Sequence, residues 1–170
     1  MAQYRPCVPS RILFGEHRVP GTQQFLPAPR DIAALLELPE GEQQDVLVRD
    51  RLMGDPATGA PLQLATSYLP ASLARGTQLA QKDTGPGGIY ELLERMGHSP
   101  LSWEEAVSAR MPTPTESERL HLLEGVPLLR ITRTTTGPDS TILEINDTRM
   151  SAETFEIGYT LTRHPSAQHP

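Results

Sequence analysis

Hydrophobic and polar positions recur with two different periods along this chain, and the changeovers divide it into elements. From Asp45 to Met53 the period is two: Val46, Val48 and Leu52 share one face, while Leu47, Arg49, Arg51 and Met53 share the other. Leu62 to Leu69 repeats the pattern, with Leu62, Leu64, Thr66 and Tyr68 set against Gln63, Ala65, Ser67 and Leu69. Gly54, Asp55, Pro56 and Gly59 supply turn chemistry between them, so the pair reads as an antiparallel hairpin. Leu128 to Thr135 and Thr141 to Met150, joined through Gly137-Pro138-Asp139-Ser140, read as a second hairpin. Leu101 to Met111 alternates as well, placing Leu101, Trp103, Val107, Ala109 and Met111 on one face with Glu105 as the exception. Phe155, Ile157, Tyr159 and Leu161 mark a last strand.

Helical spacing fills the intervals. Pro29 opens a helix running to Leu38, striped by Ile32, Leu35 and Leu36 and ended by Pro39-Glu40-Gly41. A short helical turn follows at Ala71 to Arg75. Ile89, Leu92, Leu93 and Met96 sit at i, i+3, i+4 and i+7 of a helix that Gly97 ends. Thr113-Pro114-Thr115-Glu116 is a capping box with proline at the first helical position, and its helix is expected to reach Gly125. Residues 1–28 read as a linker with an edge strand around Ile12 to Phe14, residues 29–162 as one domain, and residues 163–170 as a tail. Hairpins joined by short turns and interleaved with helices imply an α+β fold around an antiparallel sheet.

Composition narrows the partners. The 170 residues are 37% hydrophobic, enough to bury a core, and no run approaches the length needed to span a bilayer. The expected location is therefore the cytoplasm, with no membrane contact. One cysteine, Cys7, excludes a disulfide framework. The net charge of −6 argues against these residues gripping DNA themselves, since phosphate neutralisation supplies most of such affinity. The acidic character is uneven: Arg5, Arg11, Arg18 and Arg30 face Glu16 alone in the leader, leaving 11 basic and 20 acidic residues in the remainder.

Three features stand out as candidate chemistry. Arg49 and Arg51 lie on one strand face, about 7 Å apart along the backbone. Either they hold an anion between them or they pair with acids such as Asp147 or Glu144. Thr84-Gly85-Pro86-Gly87-Gly88-Ile89-Tyr90 runs straight into a helix, where uncovered N–H groups favour an anion; the alternative is an ordinary flexible loop. Glu144 sits among apolar residues on a central strand, where a carboxylate is paired, protonated or turned to solvent. The histidines His17, His98, His121, His164 and His169 are scattered, no metal or other cofactor is expected, and Glu104-Glu105 point to opposite faces.

Four stretches in order, LPEGEQQDVLVRDRLM, PLQLATSYLPASLARGTQL, DTGPGGIYELLERMGH and the segment from EEAVSARM to EINDTRM, carry a family likeness. Together, SYLP, GGIY-x-x-L-E and GVPLL-x-I-x-R make the chain resemble the UTRA domain, the ligand-sensing domain of HutC-type regulators in the GntR family. The resemblance implies a chorismate lyase-like fold of roughly six antiparallel strands flanked by helices, a homodimer, and an effector cleft. It also implies that Arg49, Arg51, Gly87, Gly88 and Glu144 face the ligand. Tyr68, Thr84, Gly85, Tyr90 and Met150 complete the expected binding set. Met150 stands where the family often has an aromatic residue, and GPGG replaces a serine-containing loop, so the effector class is expected to differ from a sugar phosphate. The family's N-terminal winged helix-turn-helix has no counterpart in residues 1–30, so DNA contact is expected only through a domain outside this chain, which is either a fragment or a free-standing sensor. The resulting expectation is a non-enzymatic sensor of a small, anionic effector; the alternative is a chorismate lyase-like enzyme.

Overall fold

The turn residues of the two hairpins set four strands side by side, and two further strands extend the sheet at its edges. The structure is a computed structural model, and it describes residues 3–6, 18–39 and 44–158. In chain order the strands are β1 (Gln3–Pro6), β2 (Arg18–Pro27), β3 (Asp45–Gly54), β4 (Pro61–Pro70), β5 (Ser102–Arg110), β6 (Leu128–Thr136), β7 (Ile142–Ser151) and β8 (Phe155–Gly158). The helices are α1 (Arg30–Leu35), α2 (Ala71–Ala74), α3 (Gly88–Leu93) and α4 (Pro114–Leu120). Six strands form one antiparallel sheet in the order β2-β3-β4-β7-β6-β5, and β1 pairs with β8 in a separate two-stranded sheet.

The sixth strand of the main sheet is not the one the sequence pattern indicates. The leader, read as a linker, contributes β2, which pairs along β3 from Pro27 opposite Asp45 to Arg18 opposite Met53. Pro20, Gly21 and Pro27 disguise it, yet proline is tolerated on an edge strand. The ladder slips between Val19 and Thr22, and there Gly21 approaches β3 so closely that a Cβ would lie 2.2 Å from the Asp50 carbonyl oxygen. The expected edge strand at Ile12 to Phe14, together with Cys7, Tyr159 and Leu161, lies outside the described residues.

Local signals explain the helices. Thr113 and Glu116 close the anticipated capping box: the Thr113 N–H donates to Glu116 Oε2 at 2.8 Å, and the Glu116 N–H donates to Thr113 Oγ1 at 3.3 Å. The helix ends at Leu120, earlier than expected, because His121 adopts a left-handed conformation with φ 52°. Helix α3 gives way to a wider turn over Glu94–His98, which the positive φ of Gly97 ends.

Helices cover both faces of the sheet. On one side Ile89, Leu92 and Leu93 of α3 pack with Leu47, Leu69 and Leu79. On the other, Ile32 and Leu36 pack on Val46 and Ile145, and Leu120 of α4 packs on Leu64 and Leu128. The apolar row of β5 lies beyond this cover. Trp103 and Val107 remain about half exposed, as does Met111 just after the strand.

Candidate functional site

Strand register builds a site on the face that α3 covers only in part. Arg51, Ala65, Thr148 and Ile131 stand in one cross-strand row, and Arg49, Ser67, Asn146, Arg133 and Glu105 in the next. A cavity of about 200 Å³ opens over these rows. Arg51, Arg133, Asn146, Gln63, Thr148 and Tyr90 give it polar walls, with Met53, Ala65 and Ile131 between them. Mixed polar and apolar lining in a small concavity suits a metabolite rather than a macromolecule.

The polar walls are already ordered. Ser67 Oγ accepts from Arg51 Nη2 on one side and from Asn146 Nδ2 on the other, both at 3.0 Å. Thr148 Oγ1 donates to Asn146 Oδ1 at 2.8 Å, which fixes which way the amide points. Arg133 donates through Nε (2.8 Å) and Nη2 (2.6 Å) to one oxygen of Glu105, and through Nη1 to the Tyr90 hydroxyl at 3.4 Å. Tyr90 in turn meets Trp103 edge-on, with ring centroids 5.7 Å apart. Burial, with the Glu144 carboxylate as a lesser cause, pushes the Tyr90 pKa up to about 12, so the phenol stays neutral.

Glu144 is wholly buried behind this wall. Its Oε2 accepts from Thr135 Oγ1 at 3.0 Å, and Oε1 has no hydrogen-bond partner among the described residues. Desolvation raises its pKa; the neighbouring Ser67, Thr135 and Tyr90 hydroxyls and the Arg51 charge oppose that shift without cancelling it. The carboxyl group therefore favours its protonated form more than an ordinary glutamate does.

The remaining residues singled out in the sequence divide. Arg49 shares a face with Arg51 but is only 5% exposed, and its guanidinium is spent on backbone. Nη1 donates to the carbonyl oxygens of Leu79 (2.6 Å) and Gln81 (2.7 Å), and Nη2 to that of Lys82 (3.3 Å). The glycine-rich loop leads into α3 without lining the cavity. Thr84 is buried, Gly85 N–H donates to Asp83 Oδ1, and Gly88 N–H donates to the Gly85 carbonyl. The Glu91 carboxylate folds back over Gly87, within 1.9 Å of where a Cβ would stand, so an acid of the chain itself attends that helix start. Tyr90 alone carries this segment into the cavity.

Tyr68 falls on the opposite face, against the cluster of Ile32, Leu36, Val46 and Ile145, because its parity on β4 is that of Leu64 and Thr66. Met150 is fully buried with Ile131 and Phe155. Arg133 is the residue that a reading of the charges alone overlooks. Its signal is present all the same: it shares strand parity with Leu129 and Ile131, and an arginine in an apolar row needs a partner.

The class these features define is an α+β domain whose antiparallel sheet carries helices on both faces and a small cavity of mixed polar and apolar lining on one of them. Residues 22–156 match the UTRA domain, and the chain belongs to that family. It is 32% identical over 116 residues to an HTH-type transcriptional regulator of Streptomyces coelicolor, SCO4628; the match spans 66% of this chain but only 42% of that relative. The fold is shared with a ligand-binding domain assigned to a GntR-family transcriptional regulator of Bordetella bronchiseptica (TM-score 0.67, 21% identity, 95% of this chain and 91% of that one). It is shared also with the C-terminal domain of the histidine utilization repressor of Pseudomonas syringae pv. tomato (TM-score 0.69, 17% identity, 96% and 100%). The chain is thus a UTRA domain, and it has the antiparallel α+β fold expected of one, a fold these solved domains share.

Proposed function

We propose that this domain senses a small anionic metabolite without transforming it, and that the cavity between Arg51 and Arg133 is the effector site. The observation that carries this reading is the position of the two guanidinium groups. They come from β3 and β6, three strands apart, and both face one cavity whose other polar groups, Asn146, Gln63, Thr148 and Tyr90, are neutral. A carboxylate or phosphate entering there has a guanidinium group on each of two sides. Arg49 supports the site from behind by holding residues 79–82 in place, and Glu144 sets the polarity of its inner wall. In the full-length regulator the response reaches DNA through a helix-turn-helix domain, and the sensing domain works as a homodimer whose arrangement the effector biases.

A thermal-shift screen of small anionic metabolites identifies the ligand, and calorimetry with Arg51→Ala and Arg133→Ala tests the site. Each substitution is expected to weaken binding by about 1.5–3 kcal/mol, the range for hydrogen bonds to charged groups. Unchanged affinity in both variants overturns the assignment. Conversion of chorismate to 4-hydroxybenzoate by the purified domain would overturn the non-enzymatic reading instead.

A further inference from the structure

Glu105 interrupts the apolar row that the sequence predicts for β5, and its position in the structure accounts for it. On β5 the residues on either side are exposed, while Glu105 is turned inward as the direct cross-strand partner of Arg133. One of its oxygens takes two N–H groups of the Arg133 guanidinium, at 2.6 and 2.8 Å. Those are the two N–H groups for which a ligand carboxylate would compete. Arg133 also lines the cavity, and β5 is the outermost strand on its side of the sheet. The acid is not sealed in: the Glu105 side chain is 21% exposed and has solvent beside it.

We propose that Glu105 is a built-in competitor for the effector's acidic group: it occupies Arg133 while the cavity is empty, and an anionic effector gains that guanidinium by displacing it toward solvent. The inference rests on reading the cavity as the effector site. It adds that the affinity is set below what the two arginines would deliver alone, and that filling the cavity loosens the cross-strand ion pair holding β5 to β6. The Tyr90–Trp103 contact reports the event. The chain has one tryptophan, and its ring abuts the tyrosine that receives an N–H from Arg133.

The experiment titrates the 170-residue chain with inorganic phosphate and, separately, with malonate, following Trp103 emission and calorimetric heat. Wild type, Glu105→Gln, Glu105→Asp and Arg51→Ala are compared, with thermal unfolding as the check that each is folded. Removing the competitor is expected to tighten binding of at least one anion roughly fivefold or more in Glu105→Gln, with Glu105→Asp between it and wild type. A lost structural contact would weaken binding, so the sign of the change separates the two roles. Should Glu105→Gln and Glu105→Asp bind as wild type does while Arg51→Ala binds more weakly, the cavity reading stands and the competitor is refuted. If no variant, Glu105→Gln included, binds either anion, both are refuted.

Discussion

Arg49 and Arg51 leave the same face of β3 two residues apart, and only the second reaches the cavity. Arg49 is anchored on three backbone carbonyls of residues 79–82, whereas Arg51 holds Ser67 and borders open space. Their substitutions should therefore separate stability from binding. Arg49→Ala leaves buried carbonyl oxygens without their donors and should cost about 2–3 kcal/mol, lowering Tm by several degrees. Arg51→Ala should leave Tm within a degree or two of wild type and lose effector affinity. Calorimetric unfolding of the two variants decides it; equal Tm losses would contradict the division.

Glu144 gives the stability a dependence on pH. Its folded pKa lies above the ordinary carboxylate value, so its favourable contribution is complete below that value and is lost as pH rises toward the folded pKa. Glu144→Gln keeps an acceptor for Thr135 and removes the ionisation. The Tm difference, variant minus wild type, should grow from acidic toward neutral pH. A difference that does not change with pH would show that the buried group does not titrate between the two states.

The opposite sign holds at Glu116. Arg110 grips both of its oxygens at 2.7 Å, and with Thr113 it lowers the Glu116 pKa from an ordinary 4.5 to about 2. A depressed pKa stabilises above the unfolded value and loses that contribution as pH falls from about 4.5 toward 2. Solvent beside the partly exposed Arg110 screens the pair, so the loss is smaller than the full shift would imply. In urea titrations at successive pH values the acid limb of Glu116→Gln should be shallower than that of wild type. Parallel limbs would argue against the ion pair.

Gly21 tests whether the leader belongs to the sheet. A Cβ there would meet the Asp50 carbonyl oxygen at 2.2 Å, a distance that backbone must move to relieve. Gly21→Ala should destabilise the domain by about 1–3 kcal/mol through the distorted β2–β3 ladder. Gly59→Ala offers the comparison: its added Cβ meets nothing within 4 Å, and only its φ of 74° is strained. A Gly21→Ala variant as stable as wild type would mean that β2 is dispensable.

Most of this architecture is legible in the sequence because its strands alternate cleanly and its turns carry glycine, proline and aspartate. β3, β4, β6 and β7 follow from parity alone, and the capping box fixes the start of α4. β2 escapes notice since Val19, Phe25 and Leu26 are too few, and the prolines around them are punctuation in any other setting. At the site, parity correctly places Arg49 and Arg51 on one face. It cannot say which of them a distant loop will claim, because Leu79, Gln81 and Lys82 come near β3 only after the chain has folded. Arg133 shows the same limit. Its importance comes from lying across the sheet from Arg51, a relationship that strand order creates and that no local period contains. The glycine-rich loop shows the reverse: its composition suggests an anion cradle, while Glu91, one turn onward, already lies against it.

The edge position of β2 has a mechanical meaning. Gln23 is paired directly with Arg49, so polypeptide arriving from the N-terminal side is laced by main-chain bonds to the strand that presents Arg51. A pull on that incoming segment, or a tilt of β3 when its neighbour is occupied, is shared between the two over a single interstrand spacing of about 4.8 Å. The strand by which the chain enters the main sheet is thus bonded directly to the strand that borders the chamber, with no other element between them.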